Sequence, residues 1–210
     1  HSALIRIRLE DPAWDPEKGW KVDGAVLGKG AFILRFFSGG SEDRLLIVNL
    51  GPDLVMTSSF GAESALLIHM AVQQMPDIRV VMVDTGYLVP ETHAFMEGLR
   101  HRFSLKVWTY RTRNDPIAWL HHAGEENPTW RKDVDACCAA NKNEPMERAM
   151  RELQPKAWLR GIRRNQAQTR RAASFVEWSN RYGCHAVSPL LNWTSREIYG
   201  YMKQHDLPYH

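Results

Sequence analysis

Four short stretches of this chain carry residue types that could do chemistry. Thr57-Ser58-Ser59-Phe60-Gly61-Ala62-Glu63-Ser64 lies between an apolar strand pattern and a helical one. Hydroxyls, a glycine and the free N–H groups of a helix start make a cradle for an anion. It lacks the Gly-Lys-Ser/Thr ending of a Walker loop. Asp84-Thr85-Gly86-Tyr87-Leu88-Val89-Pro90 follows a second strand pattern and sets an acid, a glycine and an aromatic before a helix-initiating proline. Cys137 and Cys138 are adjacent, with Lys142 about one turn on. Paired thiolates suit a soft metal or an iron–sulfur centre, and two small buried side chains are the plain alternative. Arg160-Gly161-Ile162-Arg163-Arg164-Asn165-Gln166-Ala167-Gln168-Thr169-Arg170-Arg171 offers guanidinium forks of the geometry that phosphate and sulfate oxygens accept. A solvated basic loop is the competing reading.

The charge balance narrows the partner. The net charge is only +3, from 27 basic and 24 acidic residues. Between Arg151 and Arg171, however, seven basic residues face one acid, Glu152. A local basic cluster on a near-neutral chain suits a small polyanion better than a nucleic acid. Three cysteines, two of them neighbours, make a poor disulfide framework and point to a reducing, cytoplasmic setting. Cys184 reads as a buried strand-edge thiol. The histidines, His121 and His122 included, show no metal spacing.

At 210 residues, with 44% hydrophobic and 24% charged side chains, the chain is long enough for one domain with a sizeable core. Apolar runs such as Val80–Val83 fall far short of the roughly 20 residues of a membrane span. No export signal is evident.

The elements that must position these stretches alternate. Strands are expected at Leu54–Thr57, Arg79–Val83, Lys106–Tyr110, Ala157–Arg160 and Ala186–Ser188. Helices are expected over Glu63–Gln74, Glu91–Phe103, Asp115–Ala123, Glu144–Leu153 and Ser195–His205, the last capped by Thr194 with Glu197 in the capping-box position. The implied fold class is α/β, an open and mainly parallel sheet with ligands at the carboxyl ends of its strands. Residues 1–53 differ in texture. Ala31–Phe37 and Arg44–Asn49 flank Ser38-Gly39-Gly40-Ser41 as a hairpin, and Asp11–Gly30 reads as loop. The junction between the two parts falls near Gly51–Val55.

Taken in order, SSFGAES, VDTGYLVPET, CC-x3-K-x-EP, RGIRRNQ-x2-TR and SPLLNWTSREIYGYMKQHDLPYH make residues 54–210 resemble the sulfonucleotide reductases. These are the adenylyl-sulfate and phosphoadenylyl-sulfate reductases of assimilatory sulfate reduction, with a nucleotide α-hydrolase-like (PP-loop) sheet. The resemblance implies thioredoxin- or glutaredoxin-dependent reduction of the sulfonucleotide to sulfite, with release of AMP or adenosine 3′,5′-bisphosphate. A cysteine near the family's C-terminus attacks sulfur to give a thiosulfonate, which the donor thiol resolves.

By the same resemblance, Ser58, Ser59, Gly61 and Ser64 hold phosphate, and Asp84, Thr85 and Gly86 line the adenosine. Arg163, Arg164, Arg170 and Arg171 neutralise the phosphosulfate. Cys137 and Cys138 are two of four ligands to a [4Fe–4S] cluster, and Lys142 supports catalysis between cluster and substrate. The cysteine pair favours adenylyl sulfate. The chain stops at His210, where the family continues to Cys-x-x-Cys and Glu-Cys-Gly-x-His. The nucleophilic cysteine is therefore expected beyond His210, and these 210 residues by themselves are expected not to turn over. No nucleic-acid or membrane partner is implied, and oligomeric state stays open.

Residues 3–53 instead look similar to the C-terminal β-domain of α-amylase-like maltooligosyltrehalose trehalohydrolases. Two other readings compete. One is an ATP-binding adenylating enzyme of the PP-loop type, which needs no cysteine pair. The other is a non-catalytic fragment that binds nucleotide or carries a carbohydrate-linked β-module.

Overall fold

The computed structural model describes residues 53–113 and 134–210, together with three short strands nearer the N-terminus. Those strands are β1 (Ala13–Asp15), β2 (Gly19–Val22) and β3 (Ala25–Leu27), paired antiparallel in the order β1-β2-β3. They correct the loop expected over Asp11–Gly30. The register sets Val22 opposite Ala25, and the two residues between them in sequence are Asp23-Gly24, the strongest short hairpin signal. The abundance of Pro, Gly and charge in this stretch masked it. The expected hairpin at 31–49 and helix at 115–123 lie outside the described residues.

From Asp53 onward the chain alternates. The elements are β4 (Leu54–Thr57), α1 (Ser64–Gln74), β5 (Arg79–Asp84), α2 (Pro90–Phe103), β6 (Lys106–Arg111), α3 (Val134–Cys138) and α4 (Glu144–Leu153). They are followed by β7 (Ala157–Arg160), β8 (Val176–Ser179), β9 (Cys184–Val187) and α5 (Ser195–Gln204). Among the described residues the sheet runs β6-β5-β4-β7-β9-β8, parallel except for the β8–β9 pair.

Each central strand is covered on both faces, which is why its sequence is continuously apolar. Leu54, Met56, Val80, Met82 and Leu159 point into one core with α1, α2 and α5. Their neighbours Val55 and Val81 point the other way, onto Met146, Ala149 and Met150 of α4. Helix α1 is apolar almost all round because Ala65–Ile68 and Met70–Ala71 are all buried. Helix α4 is amphipathic and buries only one stripe. Helix α5 begins at the expected cap, where Glu197 N–H donates to Thr194 Oγ1 at 3.2 Å and the Glu197 carboxylate accepts from Thr194 N–H at 2.7 Å.

The decisive feature is the direction of the crossovers. From β4 the chain builds outward through β5 and β6, then crosses to β7 on the other side. The carboxyl ends of β4 and β7 therefore flank a topological switch point, where loops leaving the two strands diverge and leave a crevice.

Candidate nucleotide and anion site

The crevice is a cavity of about 810 Å³, within the range of small-molecule sites. One wall is the β4–α1 loop. Ser58 N–H extends the ladder by donating to Val81 O at 3.0 Å, and Phe60 N–H donates to Ser58 Oγ at 3.0 Å. Phe60 takes a left-handed φ of 51° while its ring is fully buried. That ring anchors the loop in the core, so the strain is held by packing. Glu63 flanks the start of α1 without capping it by its side chain. Ser64 N–H donates to Gly61 O at 2.9 Å and Leu66 N–H to Glu63 O at 3.3 Å, so the positive end of the helix lies beside the cavity. Ser58, Ser59, Gly61 and Ser64 all line it.

The facing wall is the loop after β7. Arg160, Arg163 and Arg170 line the cavity with Thr169 and Gln166, and Lys142 reaches it from the segment after α3. The arginines differ in how they are engaged. Arg160 donates from Nε to Ser188 Oγ at 2.9 Å, and from Nη2 to the Glu177 carboxylate. Arg163 is only 6% exposed; it donates to Ser195 Oγ at 3.1 Å and to the Glu63 carboxylate. Arg170 donates to the neutral Gln166 side-chain amide oxygen. For Lys142 and Arg170, no ion pair with a carboxylate is present among the described residues. These two cations are the ones whose charge is not already offset.

The remaining expected residues lie close by but not on this cavity. Arg164 donates to Asn192 Oδ1 and to the Arg171 carbonyl, each at 2.8 Å, so it braces the loop from outside. Arg171 is exposed and does not line the cavity. Asp84, at the end of β5, is buried. It accepts from Gly86 N–H and from Arg111 Nε, both at 3.0 Å. Gly86 sits at φ 78°, which glycine alone adopts easily. Asp84, Thr85 and Gly86 thus shape the same end of the sheet without lining the cavity. Glu63, within the serine-rich stretch, lines it together with Trp158 and Glu177, and no local motif in the sequence marks the last two.

The segment after α5 returns toward the same region. Tyr209 lines the cavity, whereas His210 does not. His210 docks on α2 instead, where its Nε2 and Thr92 Oγ1 share a hydrogen bond of 3.1 Å and its ring meets Phe95 edge-on at 5.1 Å. None of Cys137, Cys138 and Cys184 lines the cavity.

The cysteines separate into two environments. Cys137 and Cys138 close α3 and lead into a π-helical stretch, Ala139–Asn143. Such a widened turn is common at functional sites. Here it buries Asn141, which accepts from Thr112 Oγ1 at 2.8 Å and donates to Cys137 Sγ at 3.5 Å. It also carries Lys142 to the cavity. Cys184 is fully buried on β9, and burial pushes its thiol up to about 11. Among the described residues no three His, Cys, Asp or Glu side chains converge as metal ligands. Two adjacent thiols, one half-buried and one exposed, suit a thiolate-bound centre chemically but do not complete a four-ligand [4Fe–4S] site.

Fold and site together define an α/β domain of the PP-loop type, with a serine- and arginine-lined crevice at its switch point. The model of the phosphoadenosine phosphosulfate reductase domain matches residues 53–210. A phosphoadenosine 5′-phosphosulfate reductase of Xylella fastidiosa (strain M23) is 42% identical over 164 residues, covering 76% of this chain and 67% of that one. The enzyme of that name from Photobacterium profundum is 36% identical over 180 residues, covering 84% and 69%. This chain belongs to the phosphoadenosine phosphosulfate reductase family. Its fold is similar to that of the phosphoadenylyl-sulfate reductase of Candida auris, with a TM-score of 0.65 at 22% identity and 76% of each chain covered. The FMN adenylyltransferase of Candida glabrata is a more distant likeness, with a TM-score of 0.56 at 15% identity over 76% of this chain and 49% of that one.

Proposed function

We propose that the crevice binds adenylyl sulfate or phosphoadenylyl sulfate, and that the protein reduces it to sulfite with release of the nucleotide, using thioredoxin or glutaredoxin as thiol donor. One observation carries this reading. The serine-rich start of α1 and the cations Lys142 and Arg170 face each other across a single cavity. A helix start and hydroxyls suit a phosphate on one side, and cations with no carboxylate partner among the described residues suit a sulfate on the other. Ser58, Ser59, Gly61 and Ser64 are assigned to the phosphate. Arg160 and Arg163 form the wall behind the anion, while Arg164 and Arg171 brace the arginine loop. Asp84, Thr85 and Gly86 shape the neighbouring turn, beside which the adenosine extends.

Cys137 and Cys138 are assigned as two thiolate ligands of a [4Fe–4S] cluster, which would place a redox-active and polarising group near Lys142 when bound. They favour adenylyl sulfate as substrate, whereas the relatives are named for phosphoadenosine phosphosulfate. Equilibrium binding of adenylyl sulfate, phosphoadenylyl sulfate and ATP–Mg²⁺ tests the reading. Either sulfonucleotide should bind at least about tenfold more tightly than ATP, a difference of about 1.4 kcal/mol. Preference for ATP–Mg²⁺ would favour an adenylating enzyme instead. Iron and acid-labile sulfide, measured after anaerobic reconstitution of the wild type and of Cys137→Ser, test the cluster separately.

A further inference from the structure

We infer that Arg163 is a positioning residue rather than a ligand contact, and that Glu63 is the partner through which it acts. The inference rests on the proposed nucleotide site and deepens it. Arg163 is the one arginine of its loop that is almost wholly buried. Its guanidinium joins Glu63 at the start of α1 to Ser195 at the start of α5, and its backbone N–H donates to Gln166 Oε1 at 3.1 Å within its own loop. Gln166 in turn accepts from Arg170. A line of hydrogen bonds therefore runs from the phosphate loop through Glu63, Arg163 and Gln166 to Arg170, one of the two cavity cations without a carboxylate partner among the described residues.

Glu63 is an acid at the mouth of an anion site, which is a cost unless it does something else. Its carboxylate neutralises Arg163 where water is scarce, and so holds the arginine loop at a fixed distance from the phosphate loop. For Arg163 to reach a ligand it would have to leave that pair, stranding a half-buried carboxylate beside an incoming anion. Breaking a buried pair by removing one partner is costly, whereas replacing both partners by apolar groups of similar shape is often close to neutral. That asymmetry gives the test its sign.

The experiment compares the wild type with Glu63→Leu, Arg163→Met and the double variant Glu63→Leu/Arg163→Met. AMP and adenylyl sulfate serve as probes, and backbone hydrogen exchange over residues 160–171 is followed in ligand-free protein. Each single variant should weaken both probes alike, by about tenfold, and speed exchange in the arginine loop. The double variant should recover both to within about threefold of wild type. The inference is overturned if Glu63→Leu tightens binding. It is equally overturned if the double variant stays as weak for adenylyl sulfate as Arg163→Met, with AMP unaffected, since Arg163 would then be touching the sulfate. If the wild type binds neither probe, the nucleotide reading fails, and the exchange data alone still decide whether the clasp exists.

Discussion

Thr57 and Arg160 are register partners at the carboxyl ends of two adjacent parallel strands. That pairing sets the start of the serine loop beside the start of the arginine loop, although the two residues lie 103 positions apart in the chain. The parallel register therefore assembles the crevice, because any shift along β7 would move every cation of the arginine loop relative to the serine loop.

The cations that face the cavity should outweigh those that brace it. Arg170→Ala and Lys142→Ala are each expected to weaken sulfonucleotide binding by about 1.5–3 kcal/mol, the range for a hydrogen bond to a charged group. Arg164→Ala, whose guanidinium is committed to Asn192 and a backbone carbonyl, should change affinity by less than about 1 kcal/mol. Titration calorimetry on the three variants checks the order. An Arg164 effect as large as that of Arg170 would place Arg164 in the site.

Phe60 couples the core to the phosphate loop. Phe60→Ala removes a fully buried ring and should cost about 3–5 kcal/mol in chemical denaturation. It should also lower anion affinity, because the loop loses its anchor. A loss of stability with unchanged affinity would mean that the loop holds its shape without the ring.

The strands along the chain were largely legible in the sequence, because doubly covered parallel strands carry unbroken apolar runs such as Val80–Val83, and α5 starts at a recognisable capping box. Strand β8 was not. Val176-Glu177-Trp178-Ser179 is an antiparallel edge with Glu177 engaged by Arg160 and Trp178 exposed, so it carries neither a buried run nor a clean alternation. The site divided in the same way. Loops that follow strands directly were identifiable, since ligands gather at the carboxyl ends. Which carboxylate meets which arginine was not, because Glu63 and Arg163 are 100 positions apart and no local pattern encodes their pairing.

Acid should weaken the fold through His69. The imidazole packs between α1 and α5. With its proton on Nδ1 it donates to Tyr201 Oη at 2.9 Å and accepts from the Gln73 side-chain amide at 2.9 Å. Burial, and then the charges of His205 and Arg102, hold its pKa below the ordinary 6.5. The unfolded chain therefore takes up the proton first, so stability is full above 6.5 and is lost as pH falls through that value toward the lower folded pKa. Melting temperature should drop between pH 7.5 and pH 5.5, about one unit either side of the ordinary histidine range, and less so in His69→Gln. An equal drop in that variant would assign the effect to other groups, His185 first, whose pKa burial also lowers.

The three thiols should react in two classes. Under native, metal-free conditions iodoacetamide should modify exposed Cys138 first and half-buried Cys137 next. Cys184, fully buried with its thiol pushed up to about 11, should react only after unfolding. Peptide mass spectrometry at successive times reads the order. Early labelling of Cys184 would contradict its place on β9.

The proposed function makes the switch-point crevice a sulfonucleotide site. The most direct measurement is calorimetric titration of this chain with adenylyl sulfate and phosphoadenylyl sulfate, with AMP and ATP–Mg²⁺ run in parallel and Arg170→Ala as the control. At least one sulfonucleotide should bind saturably, more tightly than AMP or ATP, and less tightly to Arg170→Ala. Binding of ATP–Mg²⁺ in preference to both sulfonucleotides, or sulfonucleotide binding indifferent to Arg170, would contradict it.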